Sequence, residues 1–384
     1  MAKEKRRRVA LVMGLADTYE HGIARGVVRY AKERHTWDLY GYGWMFRPFD
    51  ALGYWRGDGI IARVESARDA DRLGRLRVPV VDVAGAHPGR SFHKVTNDDE
   101  GTGRTAGAYL ASCGFRRFAY CGVAGTGWSD MRKNGFCESV AGIGEGNVAV
   151  FEEDLPWWES LAESGRLRRW LAGLATPAGV FACNDTAGLK LAELCRTLGI
   201  AVPETVAILG VDDEDILCEM ASPSLSSIRL DCESIGYRAA ALLDELMARG
   251  TGPAPAPRAL VVPSRDIVER DSTRVFTCDD PLVEQAMRLI RARAVEGGTV
   301  GGLLGSLPAS RRSLEMRFRR ATGRTLREEM VRVRLARARA LLRGSRLTIA
   351  GVAAESGFGS VQRFHRVFRK EVGTSPGGYR TTAE

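Results

Sequence analysis

The sequence predicts a two-lobed, doubly wound α/β body followed by an all-α domain with two helix-turn-helix units. Three observations predict this. Residues 9–265 alternate short apolar, β-rich runs with helical stretches, the pattern of mostly parallel sheet covered on both faces. That span exceeds what one such sheet needs, so two similar lobes are expected. After residue 277 the strand signal stops and only helical periodicity remains, and there the charge changes too. Residues 276–384 hold 21 Lys and Arg against 10 Asp and Glu, a net of +11 in a chain of net +9.

The candidate strands are VALVM (9–13), DGIIA (58–62), VPVVDVA (78–84), RFAYCG (117–122), AGVFAC (178–183) and VAILGV (206–211), with a further one over 93–97. Between them lie helices over 22–34, 102–114 and 186–199. The Pro-, Gly- and Ala-rich stretch ARGTGPAPAPR (248–258) reads as a surface loop between a helix and the closing strand ALVV (259–262). The domains expected are a two-lobed body over 1–265, a polar linker over 266–277, and a basic helical domain over 278–384.

Asp280-Pro281 opens that last domain as an N-cap followed by proline at the first helical position. Helices are expected over VEQAMRLIRARAV, TLREEMVRVRLARARALL and SVQRFHRVFRKEV. In the middle one, Val331, Leu335, Ala338 and Leu342 form one apolar stripe, with arginines 332, 334, 337, 339 and 343 off it. One helix-turn-helix unit fits SLPASRRSLEMRFRRATG (306–323), where Leu314 and Phe318 face inward and Arg311, Arg312 and Arg317 lie outside as candidate DNA contacts. The other fits 347–370, where Gly357 permits the turn, Phe358 plugs the gap, and Phe364 and Phe368 anchor the second helix. That leaves Ser360, Gln362, Arg363 and Arg366 free to enter a groove, and Arg and Gln are the side chains that read guanine and adenine edges bidentately. A polyanionic partner, double-stranded DNA, is the expectation.

The spacing A354-x-x-x-G357-F358, F364-x-x-x-F368 and G373-T374-S375-P376-x-x-Y379-R380 resembles the arabinose-operon-activator (AraC/XylS) family over about residues 278–382. The resemblance implies two helix-turn-helix units, joined by a long helix over 326–342, that enter successive major grooves. Pro308 stands where that family has a turn glycine, and Leu304 where it has a small residue.

No window is apolar for the length a bilayer span needs. The basic start is followed at once by Asp17, Glu20 and His21, which breaks a secretory apolar region, so a cytoplasmic protein is expected. The eight cysteines show no C-x-x-C pair and read as buried thiols. The five histidines lack metal-ligand spacing, and no phosphate-loop, dinucleotide or nucleophile motif is complete. Neither an enzyme nor a metal or other cofactor is expected.

In an open α/β sheet, ligands sit beyond the carboxyl ends of the strands. Glu20, Asp98, Asn184-Asp185 and Asp212-Asp213 each follow an expected strand. Carboxylates, Asn and Arg suit sugar hydroxyls, and the rings of Tyr19, Trp44 and Trp128 suit a sugar's C–H face. Several of these have a plainer reading: Asn184 or Asp185, and Asp98 or Asp99, as helix caps, and Asp213, Glu214 and Asp215 as solvated acids. Residues 94–122, 131–136 and 179–215 resemble the effector domain of the galactose/lactose-repressor family, the periplasmic-binding-protein-like clamshell. By that resemblance Asp98, Arg132, Asn184 and Asp212 match sugar-binding positions. A clamshell first and an AraC-type domain last is similar to the layout of the xylose-operon-activator family, and TYEHGIARGV (18–27) and VERDST (268–273) add to that likeness. Glu20 stands where those proteins carry an aspartate, so the resemblance leaves the sugar open.

The function expected is that of a sugar-responsive transcription regulator, an activator of a pentose operon, acting as a homodimer and meeting RNA polymerase if it activates. A repressor answering to another sugar, a sugar-binding receptor and a sugar-modifying enzyme with a DNA-binding tail are the competing readings.

Overall fold

The protein is represented by a computed structural model that describes residues 6–42, 52, 55–86, 92–159, 165–249, 256–274, 280–305 and 307–381. They divide into two compact units, one within 1–109 and 117–272, the other within 273–384 together with 110–116.

The first unit contains strands β1 (Arg7–Val12), β2 (Trp37–Tyr42), β3 (Gly59–Ala62), β4 (Val80–Asp82), β5 (His93–Asn97), β6 (Arg117–Val123), β7 (Ala149–Glu153), β8 (Ala178–Ala182), β9 (Val206–Val211), β10 (Ser226–Ile228), β11 (Ala259–Val262) and β12 (Ile267–Val268). Its helices are α1 (Thr18–Arg34), α2 (Ala67–Gly74), α3 (Asp99–Ser112), α4 (Gly127–Val140), α5 (Leu155–Glu159), α6 (Gly165–Ala172), α7 (Asp185–Leu198), α8 (Asp215–Met220) and α9 (Cys232–Ala248). Two six-stranded sheets result, in the orders β11-β5-β4-β3-β1-β2 and β12-β10-β9-β8-β6-β7. All ladders are parallel except β10 with β12. The chain therefore passes between the sheets three times: after β5, after β10 and after β11. Two doubly wound lobes joined by three chain crossings are the observed form of the body read from the alternation of strands and helices.

Strands β3, β8 and β9 are buried at every position, as continuous apolar runs covered on both faces must be. Helices are stopped and started by local chemistry. Asp17 accepts from the Glu20 N–H to cap α1, Asn184 accepts from Ala187 to cap α7, and Gly199 ends α7 in the left-handed conformation. Two helix pairs touch backbone to backbone. A Cβ on Gly236 of α9 would lie 2.0 Å from the carbonyl oxygen of Ile23 in α1, and one on Gly135 of α4 would lie 2.0 Å from that of Glu100 in α3.

Strands β2, β7, β10 and β12 went unread in the sequence. The first two mix polar and apolar residues, and SSI and IV are too short to show a period. β12 corrects the expected linker: Ile267 and Val268 pair antiparallel with β10 inside the second sheet, so the first unit runs on to Ser272. Cys113, Cys121, Cys183, Cys195, Cys218 and Cys232 are buried as thiols, none of them in a disulfide. Among the described residues no helix is long and apolar enough to cross a membrane.

The second unit holds α10 (Pro281–Arg293), α11 (Val300–Leu304), α12 (Arg311–Thr322), α13 (Leu326–Gly344), α14 (Ile349–Glu355), α15 (Val361–Val372) and α16 (Pro376–Thr381). They build two cores. The first contains Met287, Ile290, Leu307, Leu314, Phe318, Leu326 and Met330, and the second Leu335, Ala338, Leu342, Val352, Phe358, Phe364 and Phe368. Helix α13 serves both, its first half closing one core and its second half the other. Leu307 fills the first core despite the proline beside it, so the irregular turn still packs.

Arg334, read as lying off the stripe with the other arginines, is only 4 % exposed. Its Nε donates to the Ala294 carbonyl at 2.8 Å and its Nη2 to that of Gly298 at 2.7 Å. This satisfies carbonyls at and just beyond the end of α10, which have no partner within the helix. Gly357, at φ +73°, meets the same place: a Cβ there would come within 2.2 Å of the Ala294 oxygen. The end of α10 is thus met by α13 and by the turn of the second helix-turn-helix unit.

The two units also repeat. Positions fifty apart correspond: Ser310 and Ser360 cap α12 and α15, Leu314/Phe364 and Phe318/Phe368 are buried, and Gly323 and Gly373 close the helices in the left-handed conformation.

Replacing Gly236 by Ala is expected to force α1 and α9 apart and destabilise the first unit by about 1–3 kcal/mol, the usual cost of overpacking. Chemical denaturation followed by tryptophan fluorescence measures it, and an unchanged midpoint would contradict the close crossing.

Candidate functional site

The loops that follow β1, β3, β4 and β5 in one lobe face those that follow β6, β8 and β9 in the other. Between them lies a cleft of about 340 Å³, within the range of small-molecule sites. Its walls include Asp17, Tyr19, Arg63 and Asn97 on one side and Asp99, Trp128, Arg132, Asn184 and Asp212 on the other. The site therefore forms where open α/β sheets bind ligands.

Arg132 organises the second wall. It projects from α4, is 5 % exposed, donates through Nε to Asp99 at 2.8 Å and through Nη1 to the Cys183 carbonyl at 2.5 Å, and lies 3.9 Å from the Asp212 carboxylate. Its guanidinium also stands 5.1 Å from the ring centre of Trp128, close enough for a cation–π contact. Burial opposes the charge, but Asp99 and Asp212 overcome that and hold the guanidinium above its ordinary value. Asp212 follows β9 at φ +106°, a conformation rare for a residue with a side chain. Burial raises its carboxyl, Arg132 pulls it down and Asp17 pushes it up, leaving it at about 7. Near neutral pH this carboxyl can donate or accept a hydrogen bond.

On the first wall, the Tyr19 hydroxyl donates to the Val83 carbonyl at 2.6 Å, and Arg63 lies over its ring. Arg63 pairs with Asp17 at 2.7 Å, with Glu20 at 3.2 Å and with Glu65 at 3.0 Å. At the cleft floor, the Asn97 amide nitrogen donates to Asp99 and Thr102, while its buried amide oxygen has no hydrogen-bond partner among the described residues. Buried acceptors are almost always satisfied, so this one is open to a donor from within the cleft. Hydrogen bonds also cross from lobe to lobe, Thr18 N–H to Glu214 Oε2 at 2.7 Å and Gly127 N–H to the Ala86 carbonyl at 3.3 Å.

Of the residues expected from sequence, Tyr19, Trp128, Arg132, Asn184 and Asp212 meet in this cleft. Trp44 lies outside the described residues. Asp98 and Glu20 need correction. The Asp98 carboxylate accepts from the Gly101 N–H at 2.9 Å as a helix cap, and its neighbour Asp99 holds Arg132 instead. Glu20 is buried and accepts from the N–H groups of Gly14 and Ala16, at 3.0 and 2.8 Å, so it shapes the loop that presents Asp17 and Tyr19. Asp213 is not solvated: Arg229 and Arg270 both bind its buried carboxylate. Asp185 is equally buried, accepting from Ser227 and the Glu214 N–H, and burial raises its carboxyl. The sequence reading missed Asn97, Asp99 and Arg63. Counting side-chain alternation onward from the 93–97 strand was the available signal for the first two.

In the second unit, Gln362, Arg363 and Arg366 are exposed on α15, and Gln362 and Arg366 line a concavity with His365, Arg369 and Lys370. Ser360 lies at the helix start, where its hydroxyl accepts from the Arg363 N–H. On α12, Arg311 pairs with Glu315 while Arg312 is exposed. Arg317 is corrected: it makes two 2.6 Å bonds to Asp280, the N-cap of α10. No cluster of possible metal ligands occurs among the described residues.

A cleft between two lobes, lined for a small polar ligand, together with paired helix-turn-helix units of basic outer face, defines a ligand-sensing transcription regulator. Residues 8–96 match the XylR N-terminal domain, 108–273 the periplasmic binding protein-like domain, and 304–382 a helix-turn-helix domain. The xylose operon regulatory protein of Escherichia coli K12 is 30% identical over 98% of this chain and 97% of its own length. That of Haemophilus influenzae is 28% identical over 97% and 98%. The chain belongs to the family of xylose operon regulatory proteins. A solved structure of the xylose-binding transcription activator XylR is similar over 98% of both chains, with a TM-score of 0.62 and 29% identity. The cellobiose complex of the regulator CelR is similar over 70% of this chain and 86% of that one, with a TM-score of 0.57 and 26% identity.

Because the Asp212 carboxyl titrates higher in the folded protein than in the unfolded chain, the folded state binds the extra proton. Its contribution to stability is present below the ordinary carboxylate range and is lost as pH rises toward about 7. Asp212→Asn is expected to flatten the melting temperature between pH 4 and 7 relative to wild type, as scanning calorimetry would register. Parallel profiles would place the carboxyl back at its ordinary value.

Proposed function

We propose that this regulator senses a neutral pentose, xylose first among them, in the interlobe cleft and activates transcription of a sugar-catabolic operon. One observation carries the ligand class: the unpartnered Asn97 amide oxygen beside the Arg132–Asp99 pair, in a cleft rich in carboxylates. A polyol supplies hydroxyl donors to Asn97 and Asp212 and acceptors to Arg63 and Arg132, while Trp128 offers a face to its C–H groups. The names of the E. coli relative and of the solved XylR structure support xylose and the positive sign of control.

In this reading Tyr19, Trp128, Arg132, Asn184 and Asp212 contact the sugar. Glu20 acts at one remove, through the loop it holds. Sugar bound to both walls favours the closed arrangement of the lobes and shifts the population toward it. The effector domain, within residues 1–272, pairs with a second copy, and the closed form brings the DNA-binding domains, within 280–381, onto their half-sites and to RNA polymerase. Gln362, Arg363 and Arg366 read bases in one major groove, with Arg312 contacting the neighbouring one and Arg311 held by Glu315.

A thermal-shift series with pentoses, hexoses and sugar acids tests the ligand. At a hundred times the dissociation constant, a bound pentose stabilises by about 2.7 kcal/mol, and Asp212→Ala is expected to remove that shift while leaving DNA affinity without sugar. A shift from sugar acids alone, or an unchanged shift in the variant, would count against the assignment. For the DNA face, Arg363→Ala is expected to weaken specific duplex far more than random duplex. Equal losses on both would remove Arg363 from base reading.

A further inference from the structure

We infer that the first helix-turn-helix unit reads a thymine through the side chain of Met316. The inference deepens the DNA-binding reading and rests on it.

Met316 is 67 % exposed, and the only other large apolar side chain so exposed among the described residues of the second unit is Leu347 at 37 %. It does not sit at a random place on the surface. Leu314 and Phe318 fix which side of α12 faces the core. At about 100° per residue, Met316 lies opposite them, with Arg312, Arg319 and Arg320 to either side. The fifty-residue correspondence gives this face its meaning. On α15 the outward concavity is formed by Val361, Gln362, His365, Arg366, Arg369 and Lys370. On α12 an equivalent concavity includes Arg311, Arg312, Glu315, Met316 and Arg319. These are the counterparts of the first five, and Met316 takes the central place that Arg366 holds in the other helix. Arg317, by contrast, corresponds to half-buried Val367 and is turned toward Asp280.

The exchange of arginine for methionine changes what the centre of the face can recognise. Arg366 presents a fork of donors, suited to the two acceptors of guanine. Met316 has no donor, and its flexible thioether ends in a methyl group. On the major-groove edge of DNA the C5-methyl of thymine is the apolar group available to it. Glu315, the counterpart of His365, is paired with Arg311 at 3.0 Å, which lowers the local charge around the methionine without removing the flanking arginines that hold phosphates. The two units thus present different chemistries at equivalent positions: a donor fork in one and an apolar tip in the other.

The test uses the full-length protein and a duplex selected by it from a randomised pool. Each thymine of the selected duplex is replaced in turn by deoxyuridine, which deletes only the methyl group. For the wild type, one replacement within the half-site bound by the first unit is expected to weaken binding about 4-fold, the worth of one buried methyl group. For Met316→Ala the same replacement should have no effect, whereas for Arg366→Ala it should weaken binding as in the wild type. Methyl sensitivity that persists in Met316→Ala, or is absent from the wild type, overturns the assignment while leaving DNA binding intact. Failure to select any duplex would overturn the DNA-binding reading itself.

Discussion

The cleft depends on one buried guanidinium. Arg132 projects from a helix of one lobe, and a cation so enclosed persists only when its donors are matched. Asp99, at the start of the helix after the first crossing strand, and the carbonyl of Cys183, at the end of β8, supply the match. These contacts tie together the mouths of three separate strand–helix units. The direct backbone approach of α3 to α4 at Gly135 brings Asp99 near enough for the bond to form. Asp99 is the larger of the charges that favour the cation, and Asp212, perched at an unfavourable φ, adds to it and is itself raised by the same enclosure. The polar wall of the site arises from solving the arginine's electrostatics.

A comparable economy governs the second unit. Helix α13 closes one core with Leu326 and Met330 and the other with Leu335, Ala338 and Leu342. At the changeover sits Arg334, a second buried guanidinium, but this one is matched by backbone carbonyls at the end of α10. Glu329, one turn earlier, is buried beneath Arg324 and Arg332. The polar residues inside this helix thus fasten it to its own start and to the end of α10, while the apolar stripe keeps each unit packed.

Much of this was legible in advance. Strand–helix alternation gave the two lobes, and the spacing from Ala354 to Arg380 gave the second helix-turn-helix unit, because buried aromatics and turn glycines leave a fixed period. Asn184 and Asp212 were legible as residues just beyond apolar runs, and Arg132 through the resemblance of residues 131–136 to the galactose/lactose-repressor effector domain. The misses have physical origins. Asp98 and Asp99 are chemically identical neighbours, and which of them caps the helix depends on a crossing geometry that no local pattern records. Glu20 sits beyond a strand like a ligand, but its length lets it turn back onto Gly14 and Ala16. Arg317 and Arg334 look like solvated arginines because nothing in a helical period announces a partner forty residues away. β12 escaped because two residues carry no periodicity; its partner strand supplies the order.

The meeting of α13 and the second helix-turn-helix turn at the end of α10 has a consequence for the nucleic acid. Arg334 of α13 donates to the Ala294 carbonyl and the backbone of Gly357 packs against the same group, so the second unit is held close against the end of α10. Two readers held on a stiff frame act like a caliper with a locked jaw. In the proposed complex, inserting a single base pair between the two grooves rotates one of them by about 34–36°, and this packing resists a matching swivel. Distance along the duplex thereby becomes part of the message, as informative as the letters at either end.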